Sequence, residues 1–420
     1  MTTSQRGFFE QALLSRPLVK GGKMPFWLPL LLGTLTAVGP VSTDIYLPAL
    51  PEMEHQLGSA PGTGSLTMAA WVAGLAIGQI MVGPLTDRFG RRRPLLVGTL
   101  FYALAAAGCA LSTSMPMLCF FRAFAALMGA ASLVVPNACV RDVTVGDATA
   151  KMMSRLILIQ GVVPILAPAL GGFALQFITW RDIFWATSLY GVIGLLVVFL
   201  FLPETLDDGD RHPMRLWAIM TRYGQTLKDR NYRFNALIWM VQGFAVFTYL
   251  TAAPFLFESV YAFTPFQYGV LFGVMAVCMI GSSQINAWLL NYYHSRTLLR
   301  AGLAISCFGA AILLGLAVWS ALDVDAAGHL KHVYLWPLFG AMLCALGPGG
   351  CIGPNAMAGA LLTQGRNAGV ATALAGTGQY VFGILASVMF SWLPVGTAIP
   401  MGGMLLAAFL VMAVFARMAP

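Results

Sequence analysis

Stretches of about 20 apolar residues, the length a helix needs to cross a hydrocarbon core, recur along this chain. They lie near 25–49, 66–86, 94–112, 115–140, 155–177, 183–203, 235–257, 266–290, 298–320, 333–358, 367–392 and 396–416. In lipid every backbone N–H and C=O must be satisfied within its own segment, so spans of this kind are helices. Composition agrees: 58% of the 420 residues are hydrophobic and 10% are charged, against about 25% charged in a soluble chain. Too little polar surface remains to cover a water-facing fold, so lipid is the main solvent. The 45 Gly and 23 Pro suit membrane helices, where close packing and kinks are tolerated. The expected architecture is an all-α membrane protein of 12 transmembrane helices in two six-helix bundles. These are an N-terminal bundle over 25–203 and a C-terminal bundle over 234–420, with a tail at 1–24 and a central loop at 204–233.

Basic residues test that count. All but three of the 24 Lys and Arg fall in alternate loops, starting with the N-terminal tail; the exceptions are Arg122 inside a span and Arg181 and Lys331 on the opposite side. The positive-inside rule then places both termini in the cytoplasm, and a wrong span count would scramble the alternation. The net charge of +8 is thereby explained by topology, without a nucleic-acid partner, whose binding needs basic residues clustered on a solvated face. The seven Cys all lie in apolar segments without zinc-ligand spacing, so neither a disulfide nor a metal is expected. The tail lacks a signal-peptide pattern. The central loop, with Asp207, Asp208 and Asp210 beside six Lys or Arg, reads as a tether near anionic headgroups, with 217–227 able to form a short amphipathic helix.

Charge inside a span is expensive and marks function. Asp44 in the first span and Arg122 in the fourth stand out. Counted at 1.5 Å per residue from Pro51 and Pro116, both lie roughly 10 Å below the outer boundary. Opposite charges at matched depth can share one aqueous cavity, where the carboxyl group takes up and releases a proton; the alternative is a static ion pair locking two helices. A second signal is the loop Gly83-Pro84-Leu85-Thr86-Asp87-Arg88-Phe89-Gly90-Arg91-Arg92-Arg93. Its Gly83 and Gly90 permit a tight turn, and Asp87 can serve a helix N-terminus or an Arg. An ordinary topology-setting loop needs only the basic residues. In the fifth span Pro164, Pro168, Gly171 and Gly172 suit either a moving helix interface or a static kinked one. Amides Asn137, Gln160, Gln242, Asn355 and Gln379 and aromatics Tyr46, Phe247, Tyr249 and Tyr380 are candidate pocket linings, although helix-to-helix bonding and packing are the commoner roles.

These residues together resemble the major facilitator superfamily, and more narrowly its bacterial drug:proton antiporters of the Bcr/CflA type, the bicyclomycin and chloramphenicol resistance group. The loop at 83–93 matches the superfamily's G-x-L-x-D-R-x-G-R-[KR] signature. Ser42-Thr43-Asp44-Ile45-Tyr46-Leu47-Pro48-Ala49-Leu50-Pro51 is similar to the subfamily's S-x-D-x-Y-L-P-A-L-P run, and Arg141-Asp142 to the pair closing the fourth helix. Trp180-Arg181-Asp182-Ile183-Phe184 and Pro203-Glu204-Thr205 fall where relatives carry W-R-x-I-F and P-E-T. Ala125 and Ala126 replace the Gln and Gly of the fourth-helix motif, which removes an amide near Arg122, and Ala167 replaces a Gly before Pro168. The resemblance implies two pseudo-symmetric bundles around a central cavity. It makes Asp44 the proton-binding carboxyl group and Arg122 its partner. It gives conformational control to Gly83, Asp87, Arg88, Gly90, Arg91, Arg141, Asp142, Pro168, Gly171 and Gly172. The implied function is proton-coupled export of a small hydrophobic or amphipathic compound from the bacterial inner membrane, by a monomer with no cofactor beyond the proton gradient. The alternative is a transporter of the same fold moving a natural solute such as a siderophore, peptide or sugar derivative, inward or outward. An intramembrane enzyme is disfavoured because His55, His212, His294, His329 and His332 all lie in loops, and an ATP-driven pump because no G-x-x-x-x-G-K-[ST] loop occurs.

Overall fold

The structure, a computed structural model, describes residues 27–143, 147–206, 224–323, 331–364, 368–394 and 396–419, without the side chains of 141, 147–151, 153–155, 157–161, 165 and 368–369. The expected tail, most of the central loop and the start of its short amphipathic helix lie outside the described residues. What is described is helical, and no strand occurs in it. Taken in order, α1 covers Leu28–Gln56 as a broken span; α2 is Ser65–Phe89, α3 Arg92–Ala110, α4 Met115–Val143, α5 Asp147–Ala174 and α6 Trp180–Phe201. The second half has α7 (Arg230–Pro254, continued by a π-helix over Phe255–Val260), α8 (Pro265–Leu289) and α9 (Ser295–Leu322). It continues with α10 (Leu335–Leu346 and Gly349–Leu361), α11 (Ala368–Ser391) and α12 (Ile399–Met418). Eleven of these are long and apolar enough to cross a membrane among the described residues, and α5 contributes the shorter apolar stretch Val162–Ala174.

Two spans run differently from the sequence expectation. The first continues past residue 49 to Gln56, with breaks after Thr36 and Asp44 and a 3-10 turn at Leu47–Ala49. Pro48 and Pro51 lack the N–H groups that would bond the carbonyls of Asp44 and Leu47, so the α-helix stops at Asp44 and resumes at Leu50. Asp44 therefore sits at an internal break, further from the helix end than a count from Pro51 gives. The tenth span is divided at Gly347 and Pro348 for the same reason.

Large apolar side chains such as Leu104, Phe120, Ile193, Phe308 and Val414 point outward, the inverse of a soluble fold and the surface lipid requires. Inside, small residues set the spacing. In the first half α2 packs along α4, where a Cβ on Gly74 would overlap the Ala123 carbonyl and one on Gly78 would lie 2.5 Å from the Leu127 carbonyl. The halves meet along two seams, α5 with α8 and α2 with α11. At the first seam, backbone touches backbone: a Cβ on Gly269 would lie 2.5 Å from the Pro168 carbonyl, and one on Gly172 would overlap that of Pro265. Such approach is available only to small residues.

Replacing Gly74 by Leu forces α2 away from α4. The expected result is a loss of about 1–3 kcal/mol, read as a lower melting temperature of the purified protein in detergent. An unchanged melt would contradict the close approach.

Candidate functional site

Arg122 is 2% exposed. Its guanidinium carbon lies 4.3 Å from the ring centre of Tyr46, 4.4 Å from Trp71 and 5.8 Å from Phe184. Aromatic faces stabilise a cation when water is excluded. Tyr46 is fixed through its hydroxyl, 3.0 Å from Thr67 Oγ1 and 2.9 Å from Met68 Sδ. Of the guanidinium's donors, Nη1 gives a hydrogen bond to the Ser42 carbonyl at 2.8 Å, while Nε and Nη2 are buried with no hydrogen-bond partner. Ala125 and Ala126, both buried, stand one helical turn on and offer no amide.

Asp44 is 6% exposed and accepts a 2.9 Å hydrogen bond from Thr43 Oγ1. It forms no ion pair with Arg122 within 4.0 Å, so the static ion pair entertained from sequence is not what joins them. The link is the backbone of α1: Arg122 holds Ser42, two residues before Asp44. Across the seam, α8 packs on the Leu47–Ala49 turn that follows Asp44.

Between the halves is a cavity of about 290 Å³ whose lining includes Thr36, Thr43, Trp71, Phe247, Leu250 and Tyr380. It touches both charges at one remove, since Thr43 bonds Asp44 and Trp71 covers Arg122. Of the candidate pocket residues, Phe247 and Tyr380 line it, with ring centres 6.5 Å apart. Tyr46 belongs to the Arg122 box, and Tyr249 stacks on Phe272 at 5.6 Å. Asn137 bonds the Leu133 carbonyl of its own helix at 3.1 Å. Gln242 pins α7 to α10 through the Gly349 carbonyl at 2.7 Å, and Asn355 pins α10 to α8 through Asn286 Oδ1 at 2.7 Å. Gln379 lies with its backbone against Gly243, and the Gln160 side chain is outside those described. Thr43, Trp71 and Phe184 are not candidates in the sequence: Trp71 reaches Arg122 through the packing of α2 on α4 and Phe184 reaches it from α6, which packs on α3, while Thr43 is adjacent to Asp44.

The stretch at 83–93, expected as a loop with Gly83 and Gly90 at a turn, is helical as far as Phe89, so the turn falls at Gly90 alone; it closes a second polar assembly at the other end of the first half. Arg91 gives hydrogen bonds from Nε to Asp142 Oδ2 at 2.9 Å and from Nη1 to Asp87 Oδ1 at 2.6 Å and Thr86 Oγ1 at 3.1 Å. Burial works against its charge, but the carboxylates of Asp142 and Asp87 outweigh this and hold Arg91 above its ordinary value. Glu204 accepts from the Arg91 backbone N–H at 2.7 Å and that of Arg92 at 3.2 Å, an anion at the positive N-terminus of α3. Thr205 Oγ1 completes the ring at 3.2 Å from Asp142 Oδ2. Gly90 has φ +84° and ψ 171°, a glycine-only conformation, and a Cβ there would overlap the Glu204 carboxylate. Arg88 lies over the Phe89 ring at 5.1 Å, Gly83 has open space around it, and the Arg141 side chain is outside those described. Pro168, Gly171 and Gly172 are elsewhere, at the α5 seam, where a Cβ on Gly171 would overlap the Ile45 carbonyl of α1.

Residues 32–387 match the family described as the Major Facilitator Superfamily. A bicyclomycin resistance protein homolog of Haemophilus influenzae is 30% identical over 382 residues, covering 90% of this chain and 92% of that protein. A chloramphenicol resistance protein of Pseudomonas aeruginosa is 27% identical, covering 88% of this chain and 85% of its own. Among solved structures, that of a D-xylose-proton symporter superposes with a TM-score of 0.69 at 15% identity over 92% of this chain and 97% of the other, a likeness of fold.

Gly90→Ala should cost about 1–3 kcal/mol and displace Glu204, whereas Gly83→Ala, with open space around it, should melt like the wild type. Thermal unfolding of the two variants side by side checks this, and equal melts would contradict the role given to Gly90.

Proposed function

This chain belongs to the Major Facilitator Superfamily and within it to the bicyclomycin and chloramphenicol resistance (Bcr/CflA) type, and from that premise we propose that it exports a small hydrophobic or amphipathic compound in exchange for protons. The observation that carries this reading is the placement of Asp44 and Arg122 one side chain away from a cavity between the halves. An acid in a lipid-enclosed segment is expensive as an ion, so it favours a state in which it is protonated or close to a cation. Arg122 retains two unused donors and sits two backbone residues away. Ionised, Asp44 draws the internal break of α1 toward that guanidinium; protonated, it releases it. Thr43 communicates the difference to the cavity, whose mostly apolar lining suits an apolar compound fixed by few polar contacts.

Alternating exposure follows from rocking of one half against the other about the central site. The two seams are the surfaces that slide, and the assembly around Arg91 keeps the ends of α2, α3, α4 and α6 together as one body while they do. In this reading the protein lies in a bacterial inner membrane with the Arg91 end and both termini cytoplasmic. It acts as a monomer and takes its energy from the proton gradient alone.

Reconstitution into liposomes with an imposed pH gradient and labelled chloramphenicol tests the proposal. Wild-type protein should drive transport, and Asp44→Asn should lower the gradient-driven rate roughly 10²-fold or more while inserting normally. Full gradient-driven activity in Asp44→Asn would reject Asp44 as the coupling group.

A further inference from the structure

The end of α7 carries an acid that the site above does not use. After Pro254 the helix widens into a π-helix over Phe255–Val260, a rare form concentrated at functional positions. This turn packs on Leu50–Gln56 of α1, in the opposite half. It presents Glu258, whose Oε1 is sealed from solvent and has no hydrogen-bond partner. Glu52 belongs to the Leu50–Gln56 segment on which this turn packs; it is exposed and accepts a hydrogen bond from Gln56 Nε2 at 2.8 Å. On the inner side stands Tyr268 of α8, 0% exposed, its hydroxyl also without a partner. The Tyr268 ring centre lies 6.3 Å from that of Phe257, the residue before Glu258, and α8 also packs on the Leu47–Ala49 turn that follows Asp44.

The other ionisable groups nearby are accounted for. Glu54 turns toward the Gly64 N–H. Tyr261 is 2% exposed with an unpartnered hydroxyl and lies 5.8 Å, ring to ring, from His332. No cation forms an ion pair with Glu258 among the described residues. A carboxyl oxygen sealed with neither a cation nor a donor beside it is poorly placed to carry a permanent charge, and a buried phenol with no partner is costly unless something pairs with it.

We propose that Glu258 is a second proton-binding group, linked through Glu52 to the surface and through Tyr268 to Asp44, and that protons reach or leave Asp44 at this end of the molecule along it. The inference rests on Asp44 being the coupling acid. A proton taken from water by Glu52 passes to Glu258, directly or through a water molecule. Through a bridging water molecule Glu258 then gives a proton to the Tyr268 hydroxyl oxygen, as that hydroxyl releases its own through another water toward Asp44, which becomes the neutral acid. Glu52, Glu258 and Tyr268 end as they began, and one proton has moved. Because Glu52 belongs to one half and Glu258 and Tyr268 to the other, the line is complete only while the halves touch here, so rocking would interrupt it.

Infrared difference spectra of the purified full-length protein between neutral and acid pH read the carboxyl groups without any transported compound. Glu258→Gln should remove a protonated-carboxyl band different from the one that Asp44→Asn removes. In liposomes under a pH gradient, Glu258→Gln and the isosteric Tyr268→Phe should each slow chloramphenicol transport roughly 10²-fold, and Glu258→Asp should recover part of the rate. An unchanged carboxyl spectrum in Glu258→Gln, or wild-type gradient-driven rates in Glu258→Gln and Tyr268→Phe, overturns the inference. Gradient-driven transport surviving in Asp44→Asn would instead defeat the preceding reading, so the two failures are distinguishable.

Discussion

A guanidinium shut away from water among three aromatic rings, with one hydrogen bond and two idle donors, is the constraint on which this structure turns. Desolvating a cation costs several kcal/mol, and the rings around Arg122 return only part of that, about 2 kcal/mol or more for a well-placed desolvated contact. The Ser42 carbonyl returns a further part. Ala125 and Ala126, one helical turn on, offer Arg122 no amide. Arg122 is thus tied to α1 through the Ser42 carbonyl, two residues before Asp44 and the break that follows it.

The rest of the fold divides into parts that hold and parts that slide. Around Arg91, carboxylates from α2, α4 and the stretch after α6 converge on one side chain and one helix N-terminus, and every partner described belongs to the first half. That assembly makes four helix ends a single body. A simpler counterpart exists in the second half, where Arg296 and Arg300 bond the Ala419 and Ala416 carbonyls at the end of α12, much as Arg92 bonds the Phe199 carbonyl at 2.7 Å near the end of α6. The α5–α8 seam between the halves has the opposite chemistry, backbone against backbone at Gly172, Gly269 and Pro168. Beside that backbone contact the Phe173 and Phe266 rings meet edge to face at 6.2 Å, and the proposed rocking would slide these surfaces on each other.

Much of this was legible before any coordinates. Helix count and pairing into halves follow from apolar length and basic-residue alternation, because lipid imposes those rules on sequence directly. Asp44, Arg122 and the Asp87–Arg91 loop stood out because charge and glycine are unusual where they occur. What escaped notice was relational. Trp71 and Phe184 acquire their role from helices packed far apart in sequence, and Glu204 caps a helix that begins at Arg92. Glu258, at the extreme end of an apolar run, looks like an ordinary boundary residue until the π-helix turns it toward the other half. A count from Pro51 sets Asp44 too near the boundary, because the helix resumes at Leu50 and runs on to Gln56.

The account stands on substrate and proton competing for one small region between the halves. Adding chloramphenicol to concentrated, weakly buffered wild-type protein in detergent, near the pH at which the acid is half protonated, measures that directly through a pH indicator. Proton release that saturates together with binding is the predicted result. Saturable binding with no proton released at any pH tested would contradict the central claim.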